Sequence, residues 1–333
     1  GDGSASRDIT GLEFKPDLVW IKRRGGAQTH SWQDSIIGFG DDKTLRTDTT
    51  GALDTNGNLY GYINYTLEDG ININGGTQAS SNDSRTNAVS SNNTYVAWCW
   101  KAGGSTTVTN NEGSVTSYVS ANTDAGFSIV KWTGNSNSST TIGHGLNQKA
   151  DIIILKNTSG TENWRVYYIL ADGTYDFTYL NTNGTKNDSG YALPNATVVN
   201  KADDVNEKMV AYFWHSVPGY SKMGSYEGNG STDGKFVYTG FKPAFVLLKR
   251  HTDSSNYWEI RDNKRVTNNP NNARLFPNRA DVQSVGEGID FFNNGFKLRN
   301  NGSGSNNSGK RYIYMAFAEQ PLTTQYGTQS NGE

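Results

Sequence analysis

The sequence predicts an all-β protein built from three tandem antiparallel β-sandwich modules. Its apolar runs are short, rich in β-branched and aromatic residues, and separated by clusters of Gly, Asn, Asp and Ser, as between Tyr220 and Phe317. This pattern is typical of strands joined by turns. The chain is 12% aromatic and contains 38 glycines, and its other polar residues are mainly Asn, Ser and Thr, which disfavour helices.

An internal repeat of about a hundred residues divides the chain, and a period of this length fits tandem small domains rather than a solenoid. Each copy contains an apolar strand ending in lysine, a tryptophan-bearing strand and a closing aromatic strand. These landmarks are Leu18–Lys22, Ser31–Asp34 and Tyr95–Trp100 in the first copy, Asp151–Lys156, Asn163–Tyr167 and Met209–Trp214 in the second, and Phe245–Lys249, Tyr257–Ile260 and Tyr312–Phe317 in the third. We expect the recurring lysines to be strand-end charges whose stems cover the sheet.

The repeat sets the module boundaries. Module one covers residues 1–101, a linker with one strand covers 102–126, module two covers 127–218, module three covers 219–321, and a polar tail covers 322–333. The composition of Ala102–Thr107 predicts a flexible spacer, and the alternation in Ser114–Ser120 predicts a half-exposed strand. Two packed antiparallel sheets are expected in each module.

Strands are predicted wherever an apolar run lies between turn residues. In module one they are Leu18–Lys22, His30–Ser35, Leu59–Tyr65, Gly70–Ile73 and Tyr95–Trp100. In module two they are Phe127–Thr133, Asp151–Lys156, Asn163–Leu170, Phe177–Asn181, Ala196–Asn200 and Lys208–His215. In module three the corresponding segments are Tyr220–Tyr226, Phe236–Arg250, Tyr257–Asp262, Ile289–Arg299 and Arg311–Pro321.

Module one lacks a counterpart of the opening strands Phe127–Thr133 and Tyr220–Tyr226. Its first residues, Gly1–Ser4, match Gly228–Ser231, which follow the opening strand of module three. A sheet without this strand would expose unpaired N–H and C=O groups that attract another strand. We therefore expect the strand to be supplied either by upstream residues or by a neighbouring chain.

Composition excludes several classes of function. The 30 basic and 32 acidic residues give a net charge of −2, so there is no electrostatic attraction to nucleic acid or to an anionic membrane. No apolar run is long enough to span a bilayer. Cys99 is the single cysteine, which excludes an intrachain disulfide and predicts a buried thiol. Alternation places Cys99 with Ala97 on the sheet face opposite Trp98 and Trp100.

Motifs for catalysis or metal binding are missing. The 4 histidines lack metal-ligand spacing, and neither a Gly-x-Ser-x-Gly elbow nor a phosphate-binding glycine loop occurs. We therefore expect no enzyme activity, no metal and no cofactor. Two alternatives stay open: a glycosidase pair, which needs carboxyls roughly 5–10 Å apart, and a calcium site. The candidates are Asp34, Glu259 and Asp262 for the first, and Asp41, Asp42, Asp203, Asp204 and Glu207 for the second.

Aromatic residues that the repeat does not explain are the candidates for a binding site. Aromatic faces with neighbouring Asn and Asp side chains suit sugar rings, which present apolar C–H faces and hydroxyl edges. The candidate ligand-binding residues are Tyr60, Tyr62 and Tyr65 in one set and Tyr175 and Tyr179 in another. Ordinary packing within a sheet is the alternative role for both sets.

Several longer segments carry a resemblance to a known family. They are Tyr95–Gly104, Ser120–Val130, Gly145–Leu146, Gly219–Ser231 and Tyr312–Pro321. In these segments the chain resembles an uncharacterised family of marine bacteriophage virion or tail-fibre repeat domains, and the resemblance extends from Ile9 to Pro321. It implies β-sandwiches of the concanavalin-like, SPRY-like or jelly-roll kind, with no established catalytic residues.

The resemblance implies a structural protein of an external bacteriophage appendage, such as a tail fibre, spike or capsid fibre, that binds a host surface glycan. We expect assembly in the bacterial host cytoplasm, location on the virion surface, other virion proteins as partners, and no nucleic acid binding or membrane insertion. Because phage appendages are usually symmetric oligomers, a homotrimer is the first expectation. The alternatives are a purely architectural decoration protein and a polysaccharide depolymerase.

Overall fold

A computed structural model describes residues 1–89, 93–135, 140–200, 206–253 and 256–319. Strands dominate these ranges, whose helical elements are the short helix α1 (Gly57–Tyr60) and a 3-10 helix at Thr77–Ser81. The prediction of an all-β protein is therefore confirmed. No helix in the described ranges is long and apolar enough to cross a membrane. The tail predicted at 322–333 lies outside the described residues.

The first part of the chain, residues 1–101, forms two antiparallel sheets. Its strands are β1 (Arg7–Thr10), β2 (Leu18–Arg23), β3 (Ser31–Asp34), β4 (Tyr62–Leu67), β5 (Gly70–Asn74) and β6 (Tyr95–Trp100). They pair in the orders β3-β2-β6 and β1-β5-β4. The strand predicted at Leu59–Tyr65 begins later than expected, because Leu59 and Tyr60 close the single turn of α1.

The second part, residues 102–218, forms one wide sheet and a short pair. Its strands are β7 (Val108–Asn110), β8 (Ser117–Asn122), β9 (Phe127–Thr133), β10 (Thr141–Gly143), β11 (Ile152–Asn157), β12 (Arg165–Tyr168), β13 (Asp176–Tyr179), β14 (Asn187–Asp188), β15 (Val198–Asn200) and β16 (Lys208–Trp214). The wide sheet has the order β14-β13-β12-β11-β16-β9-β8-β7, and β10 pairs with β15.

The third part, residues 219–319, again forms two antiparallel sheets. Its strands are β17 (Ser221–Glu227), β18 (Phe236–Tyr238), β19 (Phe245–Arg250), β20 (Glu259–Asp262), β21 (Asn271–Arg274), β22 (Ser284–Phe292), β23 (Gly295–Leu298) and β24 (Arg311–Phe317). The sheets have the orders β17-β24-β19-β20 and β18-β23-β22-β21.

One strand order recurs in the three parts. The third part has β20-β19-β24-β17, the second contains β12-β11-β16-β9, and the first has β3-β2-β6. The position held by β9 and β17 beside the closing strand has no strand in the first part, among the residues that the structure describes. The sheet of the first part therefore ends at an open edge on β6.

The segment 102–126, predicted to be a linker with one strand, is built into the sheet. It supplies both β7 and β8, which extend the wide sheet beyond β9, where the prediction gave the linker one strand. The backbone N–H groups of Ala102 and Gly104 donate to Asp17 Oδ2 at 2.8 and 3.2 Å, and Ala102 is 3% exposed. Within the predicted spacer Ala102–Thr107, a buried carboxylate therefore holds the backbone of Ala102 and Gly104.

A single aromatic core, here called the shared core, joins the three parts. Trp32 contacts Trp164 and Tyr212, with ring centroids 5.4 and 4.9 Å apart. Trp100 contacts Trp214 of the second part at 6.2 Å and Phe317 of the third at 5.8 Å. The larger side chains of the shared core are Trp20, Trp32, Trp98, Trp100, Phe127, Trp164, Tyr168, Tyr212, Trp214, Met223, Phe245, Trp258, Met315 and Phe317.

The sheet with the recurring strand order is here called the inner sheet of each part, and the part's other sheet is its outer sheet. One face of each inner sheet lies against the shared core, and the other face packs against a second, local core. In the first part Val19 and Ile21 of β2 pack with Ile63, Ile71 and Ile73 of the outer sheet. The second and third parts have corresponding clusters of their own. Strict alternation along β6 assigns Trp98 and Trp100 to the shared core and Cys99 to the local core, which confirms the face predicted for Cys99.

The recurring lysines tie the three parts into a closed ring. Their side chains are Lys22, Lys156 and Lys249, each 0% exposed. Lys22 Nζ donates to Ala280 O of the third part at 3.1 Å, Lys156 Nζ to Thr50 O of the first at 3.1 Å, and Lys249 Nζ to Asn183 O of the second at 3.4 Å. The lysines thus serve the scaffold as predicted, but as buried cross-links rather than as stems covering a sheet.

Backbone hydrogen bonds repeat the same cyclic order. Leu53 N donates to Thr158 O at 3.2 Å, Lys186 N to His251 O at 3.2 Å, and Gln283 N to Arg24 O at 3.0 Å. In each of these bonds, the N–H donor lies three residues after the carbonyl that accepts from a lysine. The carbonyl acceptor lies two residues after that lysine in the neighbouring part. Every pair of parts is therefore joined in the same way.

Side-chain ring nitrogens of Trp and His form a third set of cross-links between the parts. They also correct the alignment of the repeats, which equated the three tryptophan-bearing strands. Trp164 Nε1 donates to Arg46 O and Trp258 Nε1 to Tyr179 O, both at 2.9 Å. In the first part the matching contact is His30 Nε2 with Phe276 O at 3.0 Å. The strand register also equates Asp34, Tyr168 and Asp262. His30, not Trp32, therefore corresponds to the two tryptophans.

Candidate functional site

The first predicted set of ligand-binding tyrosines lies on and beside β4. Tyr60 lies under the guanidinium of Arg85, 5.3 Å from its carbon to the ring centroid. The Tyr62 hydroxyl accepts from Asn74 Nδ2 at 3.1 Å, and burial raises the pKa of that phenol. Tyr65 is 49% exposed. Of this set, Tyr65 offers the ring most accessible to a ligand.

The second predicted set is less accessible. Tyr175 is 4% exposed and its ring packs 5.3 Å from that of Tyr167. Tyr179 is half-buried and lies edge-on to Phe177 at 5.5 Å. The structure does not bring this set to the first, since β4 and β13 belong to different sheets. Tyr175 has no free face for a sugar ring, because its ring is a core side chain.

The carboxylates considered for glycosidase chemistry are held by internal partners. Asp34 is 1% exposed and accepts from the Tyr212 hydroxyl at 2.7 Å, and burial raises the pKa of the Asp34 carboxyl. Asp262 Oδ2 accepts from Trp98 Nε1 at 3.1 Å and from Arg265 Nε at 2.5 Å. Asp34 and Asp262 occupy matching repeat positions, and each accepts from two backbone N–H groups of the turn after its strand.

Glu259 belongs to a buried network that sequence did not reveal. Its carboxylate accepts from Arg261 at 2.8 Å and from Arg274 at 3.3 Å, and Arg274 also contacts Glu287 at 3.4 Å. Burial and the neighbouring Glu259 raise the pKa of Glu287. Arg261 also donates to the carbonyl oxygens of Asn271 and Glu287 at 3.1 and 2.7 Å. This network fixes the irregular pairing of β21 with β22.

Metal ligands do not cluster in the described ranges. No group of three or more His, Cys, Asp or Glu side chains there could hold a metal ion. Asp42 instead forms an ion pair with Lys43 at 2.8 Å. The candidates Asp203 and Asp204 lie outside the described residues.

An exposed aromatic surface, here called the aromatic platform, lies on the outer sheet of the third part. It consists of Phe236, Tyr238 and Phe292, which are 39, 62 and 38% exposed. Phe236 and Tyr238 alternate along β18 with Val237, which packs in the local core. The rings of Phe236 and Phe292 lie 6.1 Å apart. These side chains point to solvent because alternation sends every second residue of the strand outward.

Gly295 separates the members of the aromatic platform. It pairs with Tyr238 on one side and with Phe292 on the other. A Cβ at Gly295 would clash with Val237 O and lie 2.8 Å from Phe236 Cζ, so a side chain here would displace both the neighbouring strand and the Phe236 ring. Glycine therefore lets the Phe236 ring lie over this position of the sheet.

Charged side chains border the platform. Lys297 pairs opposite both Phe236 and Asp290 in the sheet, and its ammonium lies 2.6 Å from Asp233. Arg299 contacts Asp290 and Asp233. The hydrogen bond from Lys297 lowers the pKa of Asp233. Exposed apolar rings beside groups that can hydrogen-bond to hydroxyls suit a polar ligand with an apolar face.

The platform is not a property of the repeat. Thr10 pairs with Gly70 as Tyr238 pairs with Gly295, which equates Asp8 and Thr10 with Phe236 and Tyr238. The first part thus has polar residues where the third has aromatic rings. The platform was not predicted from the sequence, although alternation in Phe236–Tyr238 and the doublet Phe291–Phe292 are signals that could indicate it.

A second unusual surface is the open edge of β6. A cavity of about 550 Å³ lies beside it on the shared-core side, with Trp98, Trp100, Phe245 and Phe317 in its wall. Another of about 370 Å³ lies on the opposite side, against Ile21, Ile71, Ile73 and Tyr95. The edge strand therefore has open space on both faces, bordered by these apolar side chains and by charged ones such as Lys264 and Glu319 on one side and Arg7 and Arg24 on the other.

Cys99 lies on this edge, and its reactivity is predictable. Burial raises the pKa of the thiol to about 12, and the thiolate is the species that reacts. We expect an alkylating reagent at pH 8 to label Cys99 at least about 100-fold more slowly in the native chain than in urea, because a thiol of ordinary pKa ionises far more. Cys99 is partly buried by accessible surface, and equal rates in the two states would show that folding does not raise the pKa of its thiol.

The chain matches a known protein family over most of its length. A family model described as Domain of unknown function (DUF7483) matches residues 1–321. The chain therefore belongs to this family. Searches of curated proteins and of solved structures gave no match.

Proposed function

We propose that this chain is a non-enzymatic structural protein of a bacteriophage surface appendage, and that it binds a host glycan through the aromatic platform. The exposed rings of Phe236, Tyr238 and Phe292 carry the binding proposal. Such rings stack on the C–H face of a sugar, while Lys297 and Asp233 at the border offer partners for its hydroxyls. The appendage is supported by the sequence resemblance described above.

We also propose that the chain comprises three β-sandwich modules arranged as a ring. The recurring strand order supports this description. So does the presence of a local core beside each inner sheet. A ring held by a shared core and buried cross-links suits a rigid particle component, because no module can move without breaking both neighbouring contacts.

The glycan proposal has a direct test. We expect the wild-type chain to bind a subset of bacterial surface polysaccharides on an array, and Tyr238→Ala or Phe292→Ala to weaken binding about tenfold each, equivalent to about 1.4 kcal/mol. Tyr118→Ala is the matched control, because Tyr118 is similarly exposed (43%) on a strand of another sheet and belongs to no candidate binding set. An equal loss of binding in the control, or unchanged binding in Tyr238→Ala and Phe292→Ala, would refute this site.

The same assay separates the alternatives. A purely architectural protein would bind no polysaccharide but would be found in the purified particle, where its position can be determined by electron microscopy. A depolymerase would release reducing ends from the polysaccharide it binds. The catalytic carboxylates of a depolymerase would have to be residues other than Asp34, Glu259 and Asp262, because these three are hydrogen-bonded to internal partners. Otherwise these three residues would have to give up those partners.

A further inference from the structure

The open edge of β6 occupies a position that is filled in the other two parts. β9 pairs with β16 and β17 pairs with β24, both antiparallel. β16, β24 and β6 correspond, because Trp214, Phe317 and Trp100 pair with the first residues of β11, β19 and β2. β6 is thus a closing strand paired on one side only, within the described residues. An unpaired edge of this kind accepts another strand through its backbone.

The position of Gly1 shows how such a strand would connect. The Gly1 nitrogen donates to Asn93 O at 2.7 Å, and the Gly228 nitrogen donates to Lys310 O at 2.8 Å. Asn93 lies two positions before β6, and Lys310 lies one position before β24. Because β24 begins one residue earlier than β6 in the shared register, Asn93 and Lys310 correspond.

The next residue repeats the correspondence. Asp2 N donates to Asn87 Oδ1 at 2.9 Å, and Asn229 N donates to Asn306 Oδ1 at 3.0 Å. The chain at Gly1–Asp2 therefore lies where the chain lies at Gly228–Asn229. In the third part, that path is entered directly from β17, which runs along β24.

The cavity on the shared-core side of β6 matches the side chains that such a strand would bring. In β9, Phe127 lies opposite Trp214 and Ile129 opposite Tyr212. In β17, Met223 lies opposite Met315. Phe127, Ile129 and Met223 all belong to the shared core. The corresponding side chains beside β6 would enter the cavity of about 550 Å³ whose wall includes Trp98 and Trp100.

We infer that the edge of β6 is an acceptor for one antiparallel strand that leads directly into Gly1, with apolar side chains opposite Trp98 and Trp100. Its length is that of β9 and β17, 7 residues each. The covalent path is favoured over a separate chain because Gly1 already follows the route of Gly228. This inference is independent of glycan binding.

The experiment extends the chain at Gly1 by Ser-Lys-Met-Gly-Ser-Tyr-Glu, the sequence of β17. The matched control carries Asp in place of the Met, which places a charge opposite Trp98. We expect the first extension to raise the melting temperature by about 5 °C or more relative to the control, and to slow labelling of Cys99 by about tenfold or more. Both extended chains should keep the oligomeric state of the chain without an extension, measured by light scattering.

Several results would overturn the inference. Equal melting temperatures and equal labelling rates for the two extensions would show that the edge accepts no apolar strand. Full protection of Cys99 by the free heptapeptide at micromolar concentration would assign the strand to a separate chain. Dimerisation of the extended chain alone would assign it to a second copy. A binding defect in the platform variants would bear on none of these results.

Discussion

Replacement of Trp32 by alanine is expected to lower the free energy of unfolding by about 3–5 kcal/mol. Trp32 is 1% exposed and contacts Trp20 of its own part as well as Trp164 and Tyr212 of the second. Truncation leaves a cavity where these parts meet, and rings held by a cross-linked scaffold cannot readily collapse into it.

The form of the unfolding curve tests the shared core. We expect the wild type and Trp32→Ala to unfold in one transition each, with tryptophan fluorescence and far-ultraviolet circular dichroism coinciding along a urea series. Tyr118→Ala is a suitable control, since Tyr118 is 43% exposed, and should change stability by less than about 0.5 kcal/mol. A variant curve in which only a fraction of the signal shifts would indicate modules that unfold independently.

Replacement of Lys22 by methionine is expected to destabilise the protein by about 2–4 kcal/mol at pH 7. Lys22 Nζ donates to the carbonyl oxygens of Arg23 at 2.9 Å, Gln28 at 2.8 Å and Ala280 at 3.1 Å. Methionine has a similar length but no donor, so buried acceptors lose a partner and the contact between the first and third parts is weakened. Urea unfolding measures the change. Lys208→Met replaces an exposed lysine and should have little effect, and an equal loss in both variants would contradict the cross-link.

The buried lysines also predict a dependence of stability on pH. Burial lowers the pKa of Lys22, Lys156 and Lys249 from 10.5 to about 8. Below pH 8 the lysines are protonated in both the folded and the unfolded states. Between about pH 8 and 10.5 the unfolded chain binds more protons, so their contribution to stability rises with pH.

The difference between wild type and Lys22→Met isolates one lysine from other groups that titrate in this range, such as Cys99. The destabilisation caused by the substitution should therefore grow from pH 8 to pH 10, by at most about 1.4 kcal/mol per pH unit. A difference that is constant or shrinks over this range would show that the Lys22 pKa is not lowered by folding.

Much of the fold was predictable because its signals are local. Short apolar runs between turn residues identified β2, β6, β9 and β16 nearly to the residue. Within a strand, successive side chains point to opposite faces. The same rule assigned Cys99 and Trp98 to different faces. The match of Gly1–Ser4 with Gly228–Ser231, which follow an opening strand, predicted that module one lacks its opening strand. Turn residues and the recurring lysine then supplied the repeat.

The candidate site was less predictable, because exposure depends on what covers a strand. Tyr175 and Tyr238 both occur in aromatic strand segments, yet Tyr175 is 4% exposed and Tyr238 is 62% exposed. Tyr175 lies under neighbouring rings of its own sheet, whereas Tyr238 is on the solvent side of an outer sheet. The chosen tyrosines were therefore a mixture of accessible and buried rings, and glycan binding at the accessible ones stays a prediction.

By itself, the sequence determined the strands, their faces, the repeat and the residue types of the scaffold. The tertiary structure decided that the inner sheets face one another around Trp32 and Trp100, so that the three parts share a core. It also decided that Lys22 binds a carbonyl in the third part and that His30 takes the position of a tryptophan. Alternation fixes which side chains share a face, but the partner of that face is chosen by contacts between residues far apart in the chain.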